Sequence, residues 1–523
     1  LKSCRVFLAI SGLALFASGA NPRGHSEPAI NPDSYPGMSE EELGQFRWAL
    51  KVADQPLNDY RNMEGIDQLG MTSYRYFIAF STYFLAVEQY QKLPACPELI
   101  QPRMERLVKK MVEKPVWEFW AGVSRGIPAL EPKLNKPYPE EHDPVGHRNI
   151  MYSGHVGHMI GIYEMLYRDF QWDQPGSIVF KWSESEKYLY DHRKLNQVMY
   201  DQMMRKPHCI ECEPNACFPE CNQHPILSFR LHDYLHATGF RKAEEPFFNF
   251  FLEKKMINPV THQTAMDYLI KQDTTISSSN PRFKNPLDLV VTPLASLRLV
   301  AMDSASANGW TGSFMHAWQP EYIERHYPYQ KQDDLKPTKD DQAKLAATIW
   351  EPELKYGFFA MYAGELGDFE TRDRLLRYAD RKYQPLWEDG AFRYPYSRKR
   401  KCTNLTGQLL AIARANPKSG LWAMHNQPFD QAHFAEPKVA GVDFPNLLLR
   451  RAIYDRARKA LIVTAEPGGK KSQAKTTIKL ANLDPEKSYR LFMDGRELAK
   501  STSRTEIPVE ITLDGKHNII LAE

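Results

Sequence analysis

Cys209, Cys212, Cys217 and Cys221 crowd into the stretch HCIECEPNACFPECNQHP, while the rest of the 523-residue chain holds only Cys4, Cys96 and Cys402. Such density admits three chemistries: a metal clip, a disulfide, or thiols kept reduced to work on a substrate. The Cys-x2-Cys-x4-Cys-x3-Cys spacing approaches a zinc knuckle, with His208 and His224 as further donors. Against zinc, the intervening Glu-Pro-Asn-Ala and Phe-Pro-Glu are not the glycine-rich turns that let backbone amides reach metal-bound thiolates. Covalent haem is weaker still, because Glu213 rather than His follows the Cys-x-x-Cys pair. His155 and His158, three residues apart, could hold a metal with Glu164, but two histidines on an apolar helical face more often pair with tyrosines or carbonyls. The expectation is an enzyme with no metal and no cofactor.

These residues need rigid elements to carry them. Residues 37 to about 450 read mainly as helices joined by irregular loops, without visible repeats. Ser39 and Glu42 form a capping box ahead of Leu43, Phe46, Leu50 and Ala53, and Pro56 halts the turn, which leaves Asp54 at a helix C-terminus. Tyr76, Phe80, Tyr83 and Val87 recur at helical spacing over 74–90. Residues 149–167 put Met151, His155, His158 and Ile162 on one helical face, and Pro225 opens another helix carrying Leu227, Leu231 and Leu235. Further helices are expected at 357–366, 368–382 and 405–415. From about residue 458 short alternating runs separated by Pro467-Gly-Gly, Asp484-Pro, Asp494-Gly and Asp514-Gly-Lys predict a small β-sandwich over 458–523. A helical body followed by a β-domain suggests an α/α toroid with a β-sandwich appended.

The composition, 42% hydrophobic and 12% aromatic with 26 Tyr and 26 Phe, suits a large core and an apolar cavity. A net charge of +3 without any basic stripe gives nucleic-acid binding no support. Lys2 and Arg5, the apolar run Val6 to Phe16 and the small residues 17–20 have the layout of a secretory signal over 1–20, which implies a periplasmic or extracellular protein. The alternative, an anchor, needs ~20 apolar residues, and no stable membrane span is expected once the signal is removed. In an oxidising compartment a disulfide within the cysteine cluster, or between Cys96 and Cys402, is a further expectation. Asn404-Leu405-Thr406 is a sequon, too short to weigh much.

Asn149-Ile-Met-Tyr-Ser-Gly-His155, then Cys212-Glu-Pro-Asn, Cys221-Asn and Asp233-Tyr-Leu-His-Ala-Thr, resemble the linalool dehydratase/isomerase family in order and spacing. Asp54 and Tyr60 keep the family's six-residue separation, and Tyr76 takes the place of a pocket tyrosine. The resemblance runs over roughly residues 40 to 420. It implies an (α/α)6 toroid over 37–450 with the site at its mouth. It further implies Cys212 and Cys221 as the two active-site cysteines, Met151 and His155 as pocket residues, and Asp54, Tyr60 and Tyr76 as the acidic and phenolic groups. Cys209 and Cys217 then stand as extras that pair, bind nothing or tune the site. Where the family has another pocket tyrosine this chain has Trp310, within Asn308-Gly-Trp-Thr-Gly, and it adds an insertion over 260–300. The family's pentamer leaves homo-oligomerisation an open expectation.

Ionising an allylic alcohol requires an acid at the hydroxyl, a base for the departing proton and an aromatic wall around developing positive charge. Asp54 beside the negative end of a helix dipole fits the acid. Tyr60, Tyr76 and His155 fit a proton relay, the Tyr76 and Phe80 faces fit the cation, and Cys212 and Cys221 fit acid/base partners or a transient nucleophile. The reading is a lyase or isomerase of an apolar terpenoid or prenyl-type alcohol, bulkier than ten carbons given Trp310 and the insertion. Its rivals are a terpenoid cyclase on the same scaffold, a carbohydrate-active toroid enzyme, and a secreted binding protein whose cysteines are only a staple.

Overall fold

The computed structural model describes residues 30–63, 73–127, 130–131, 136–276, 304–333, 354–397, 399–502 and 504–523. The expected signal over 1–20 lies outside them, as does the part of the insertion beyond residue 276. The longer helices are α1 (Glu40–Ala53), α2 (Tyr74–Gln91), α3 (Pro97–Met111), α4 (Ile150–Tyr167), α5 (His192–Met203), α6 (Gln223–His236), α7 (Glu244–Glu253), α8 (Ser304–Met315), α9 (Pro320–Asp333), α10 (Lys355–Glu365), α11 (Phe369–Tyr383), α12 (Asn404–Ala415) and α13 (Gly420–Asn426). None of the described helices is long and apolar enough to cross a membrane.

Helix α1 opens on the capping box: the Ser39 hydroxyl accepts from Glu42 N–H at 3.2 Å, and the Glu42 carboxylate accepts from Ser39 N–H at 3.0 Å. Two helices form the middle of the body. Every residue of α2 from Arg75 to Gln89, and of α4 from Ile150 to Leu166, is buried, the state expected of helices that are apolar nearly all round. Gly154 and Gly157 let α4 lie close to α6. A Cβ on Gly154 would stand 2.9 Å from the Pro225 ring, and one on Gly157 would stand 2.7 Å from the Ser228 hydroxyl oxygen.

The loop between α5 and α6 holds the cysteines and is tied to α4 by main chain. Asn149 N–H donates to Cys212 O at 3.2 Å, and Ile150 N–H to Glu211 O at 3.2 Å. Strand β1 (Ala216–Cys217) in this loop pairs with β2 (Asp267–Leu269), which pairs with β3 (Thr274–Ile276), all antiparallel. The described part of the insertion is thereby brought against the cysteine loop.

The C-terminal part is sheet-rich: β4 (Lys438–Ala440), β5 (Leu447–Asp455), β6 (Ala460–Pro467), β7 (Lys475–Ala481), β8 (Ser488–Met493), β9 (Arg496–Thr502), β10 (Ile507–Thr512) and β11 (His517–Ala522). They form an antiparallel sheet in the order β9-β8-β11-β6-β5 and a second in the order β10-β7-β4. The strands begin earlier than residue 458. Leu447-Leu-Leu is buried at three successive positions, so β5 lacks the alternation that marks a half-buried strand in sequence. Main-chain bonds join this part to the helices: Ala95 N–H donates to Ala452 O at 2.9 Å, Ala452 N–H to Lys92 O at 2.8 Å and Val439 N–H to Ala95 O at 2.7 Å.

Candidate active site

The four clustered cysteines divide into two kinds. Cys209 and Cys217 form a disulfide, while Cys212 and Cys221 are free and buried. With two of its sulfurs joined, the loop offers no four-thiolate zinc clip. Cys96 and Cys402 are each free and buried too, which corrects the expected bond between them: one caps α3 and the other precedes α12.

Asn222 fixes the loop from inside. Its amide accepts from Ile210 N–H at 2.9 Å and donates to Ile210 O and Phe218 O, both at 3.0 Å. The two free thiols act on each other electrostatically. Burial pushes the Cys212 thiol well above its ordinary range and Cys221 upward as well, so both are held as thiols rather than thiolates at neutral pH. Glu213 and Glu220, the neighbours of these cysteines, bring more negative potential, whereas the nearby Arg75 guanidinium acts in the opposite sense on Cys221.

Burial raises Glu220 well above the usual carboxylate range, with Asp267 and Glu213 adding to it. Asp267 is pushed up to about 8 by burial and then by Glu213. Glu220 and Asp267 therefore favour their protonated forms, so protons are retained beside the thiols at neutral pH.

Arg75 of α2, which acts on Cys221, and the start of α4, bonded to the cysteine loop, connect this group to a further set of residues. The Tyr76 hydroxyl lies 3.4 Å from the Met151 sulfur, and Arg75 Nη2 lies 3.6 Å from it. The Arg75 guanidinium is sandwiched between the Tyr76 ring at 4.5 Å and the Phe119 ring at 4.1 Å. Tyr76 and Phe80 meet His155 edge to face and Trp310 lies tilted beside it at 6.1 Å, with ring centroids 5.5 to 5.6 Å apart along the Tyr76–Trp310–Phe80 series. Trp310 also stacks on Phe358 at 4.8 Å.

Hydrogen bonds fix the proton positions on this wall. Trp310 N–H donates to His224 Nε2 at 3.0 Å, so the proton of neutral His224 sits on Nδ1, 3.1 Å from His158 Nδ1. His425 Nδ1 donates to Leu421 O at 2.7 Å, which leaves its Nε2 to accept from His158 Nε2, also at 2.7 Å. The Tyr83 hydroxyl is then free to donate to His155 Nδ1 at 2.8 Å. His155 Nε2 therefore carries a proton, and it has no hydrogen-bond partner among the described residues. Burial followed by the Arg75 charge lowers His155 to about 3, and burial with neighbouring imidazoles lowers His158 and His224 well below their ordinary value. His155 thus presents a neutral N–H donor.

Two expected members stand elsewhere. Asp54 does cap α1, but its half-exposed carboxylate pairs with Arg103 at 2.8 Å and has no contact to the thiols or His155 among those described. Its pairing with Arg103 sets Asp54 apart from the group around the thiols. The Tyr60 ring lies between Tyr74, at 4.7 Å, and Lys110, at 4.9 Å from its centroid; its hydroxyl is buried without a described partner and pushed strongly upward by burial. Arg75, Glu220 and Asp267 were not singled out from sequence, and Tyr83 and His224 were noted only as a helical-face residue and a possible metal donor. The one available signal was the symmetry of Cys212-Glu and Glu-Cys221.

The family model described as linalool dehydratase/isomerase matches residues 75–296 and 291–400. Among solved structures, the alpha-1,6-mannanase of Salegentibacter sp. HEL1_6 is similar at 10% identity and a TM-score of 0.38, over 71% of this chain and 99% of that one. An unsaturated glucuronyl hydrolase specific for heparin is similar at 8% identity and a TM-score of 0.40, over 73% of this chain and 96% of that one. Likeness of that degree carries no argument about this site. The family match, by contrast, spans more than half of the residues and includes Arg75, Tyr76, Met151, His155, Cys212, Cys221 and Trp310: the chain belongs to the linalool dehydratase/isomerase family.

Proposed function

We propose that this protein is a cofactor-independent lyase or isomerase that ionises an apolar allylic alcohol of the terpenoid or prenyl type. The observation that carries the reading is the pair of free, protonated thiols Cys212 and Cys221 set among protonated carboxyls and opposite an aromatic wall. A staple needs only the Cys209–Cys217 bond, so the binding-protein reading leaves the second pair idle.

In this mechanism the Glu220 carboxyl takes over the acid role first given to Asp54 and protonates the leaving hydroxyl. The His155 Nε2–H orients that oxygen, and Arg75 stabilises the negative charge left behind. The faces of Tyr76, Phe80 and Trp310 support the allylic cation, with Met151 filling the pocket below Tyr76. The carboxylate left on Glu220 then takes the proton from the carbon beside the cation, which restores the carboxyl as water and alkene leave; Cys212 and Cys221, held as thiols, donate hydrogen bonds to the departing oxygen, and their neutral state argues against a standing thiolate nucleophile. Tyr60 stays protonated and stands apart from this group. The architecture we propose for the body is an (α/α)6 toroid, with the two C-terminal sheets packed as a sandwich, and the protein a secreted one acting on a small apolar substrate.

Trp310 and the insertion favour a substrate longer than ten carbons. Purified protein incubated anaerobically with ten-, fifteen- and twenty-carbon allylic alcohols, and separately with uronic-acid polysaccharides, should give dehydrated or rearranged products from the longer alcohols by mass spectrometry. Turnover of polysaccharide alone, or a clear preference for ten carbons, contradicts the proposal.

A further inference from the structure

At the far end of α4 and α6 from the thiols lies a second group of chemistry-bearing side chains that the mechanism does not use. Asp173, His232 and His236 each place one ligand atom within 4.8 Å of the others, and Glu164, Asp173 and His192 do the same. Asp173 is common to both sets. His232 and His236, four residues apart, share one face of α6, with ring centroids 4.5 Å apart. His236 Nε2 stands 3.1 Å from Asp173 Oδ2 and 3.7 Å from Glu164 Oε2.

The supporting bonds leave lone pairs aimed inward. The Thr238 hydroxyl donates to Asp233 Oδ1 at 2.7 Å, so its oxygen can only accept from His232 Nδ1, 2.9 Å away. That fixes the His232 proton on Nδ1 and leaves Nε2 a bare acceptor atom. This nitrogen is fully buried and has no hydrogen-bond partner among the described residues; nor have Glu164 Oε1 and Asp173 Oδ1. Glu164 is itself steadied by His192, whose Nδ1 lies 2.7 Å from Oε2 and whose Nε2 lies 3.2 Å from Gly157 O. His192 serves only Oε2, so His232 Nε2, Glu164 Oε1 and Asp173 Oδ1 remain buried without a partner among the described residues, which is costly, and a cation satisfies them together. A histidine oriented through its other nitrogen and a carboxylate held by a neighbour are the outer-shell arrangement of metal sites.

We propose that Asp173, His232 and His236, with Glu164 as a further donor and His192 as its outer-shell partner, bind one divalent first-row transition cation of the zinc type. Imidazole and carboxylate donors in this ratio suit zinc, whose ligand atoms lie 2.0–2.1 Å from the metal and about 3.3 Å from one another. The donors come from α4, α6 and the turn at 171–173, so the cation acts as a clamp on the two helices that also carry His155 and His224. It is remote from the thiols and has no part in the chemistry proposed there.

The test is metal content of the full chain, purified without chelator, with Zn2+ as the probe. About one zinc per chain is expected, removed by chelator and regained on titration with a rise in Tm. His236→Gln, at a partly exposed side chain, should weaken zinc binding at least about 10-fold, and Thr238→Val, which unfixes the His232 ring, about 10- to 100-fold. The Cys212→Ser/Cys221→Ser chain must keep its zinc. Protein that neither holds zinc nor gains thermal stability from it, or zinc lost with the thiols but kept in His236→Gln, overturns the proposal. Because the readout is bound metal, its failure is distinct from failure of the lyase reading.

Discussion

At the scale of single residues, the proposed chemistry depends on which groups keep a proton in a dry site. Glu220 is buried, raised by burial and crowded by Asp267 and Glu213, whereas Asp54 faces Arg103 near the surface. Glu220→Gln should therefore cost on the order of 10²-fold in turnover, while Asp54→Asn costs less than about 10-fold, as expected for loss of a partly exposed ion pair. Steady-state rates on one allylic alcohol decide it; the reverse ranking returns the acid role to Asp54. Cys212, Cys221, Met151, His155 and Tyr76 were legible in sequence because each sits in a short stretch whose residue types and spacing are distinctive. The Asp54–Arg103 pair had no trace in sequence because its members are 49 residues apart, at the end of α1 and on α3. Glu220 was missed because a glutamate in a loop looks solvated until the loop is known to be buried.

At the scale of elements, the close approach of α4 and α6 sets the distance between His155 and the cysteine loop. Gly154 meets the rigid Pro225 ring, which cannot swing aside as a long side chain would. Gly154→Val should lower stability by about 1–3 kcal/mol in urea unfolding and reduce turnover with it; unchanged activity would mean that the helix spacing does not govern the site. The helices themselves were readable from capping and periodicity: α1 from its box, α2 and α4 from their apolar repeats. Strand β5 was not, since burial on both faces erases alternation, and β2 was not, since it forms by pairing with β1, whose residues lie 51 and 53 positions away.

At the scale of the whole molecule, charges buried beside the thiols link stability to pH. Asp267 holds its proton in the folded chain up to about 8, against an ordinary value of 3.8. The folded state binds more protons between those values, so this contribution is fully present below 3.8 and is lost as pH rises through 8. The fall in Tm from pH 5 to pH 8 should accordingly be smaller in Asp267→Asn than in the parent chain; an equal fall would show that Asp267 does not titrate there. Division into a helical body and a sheet-rich end was visible in the change of sequence texture, but the main-chain bonds that weld the end to the α2–α3 turn link residues hundreds of positions apart and leave no local trace. The central claim is that the reduced Cys212–Cys221 pair does the work. Product formation from a fifteen-carbon allylic alcohol, followed by mass spectrometry in the parent chain and in Cys212→Ala and Cys221→Ala variants of unchanged helical circular dichroism, measures it directly. The account predicts product from the parent and none above background from either variant; near-parental turnover by Cys221→Ala contradicts it.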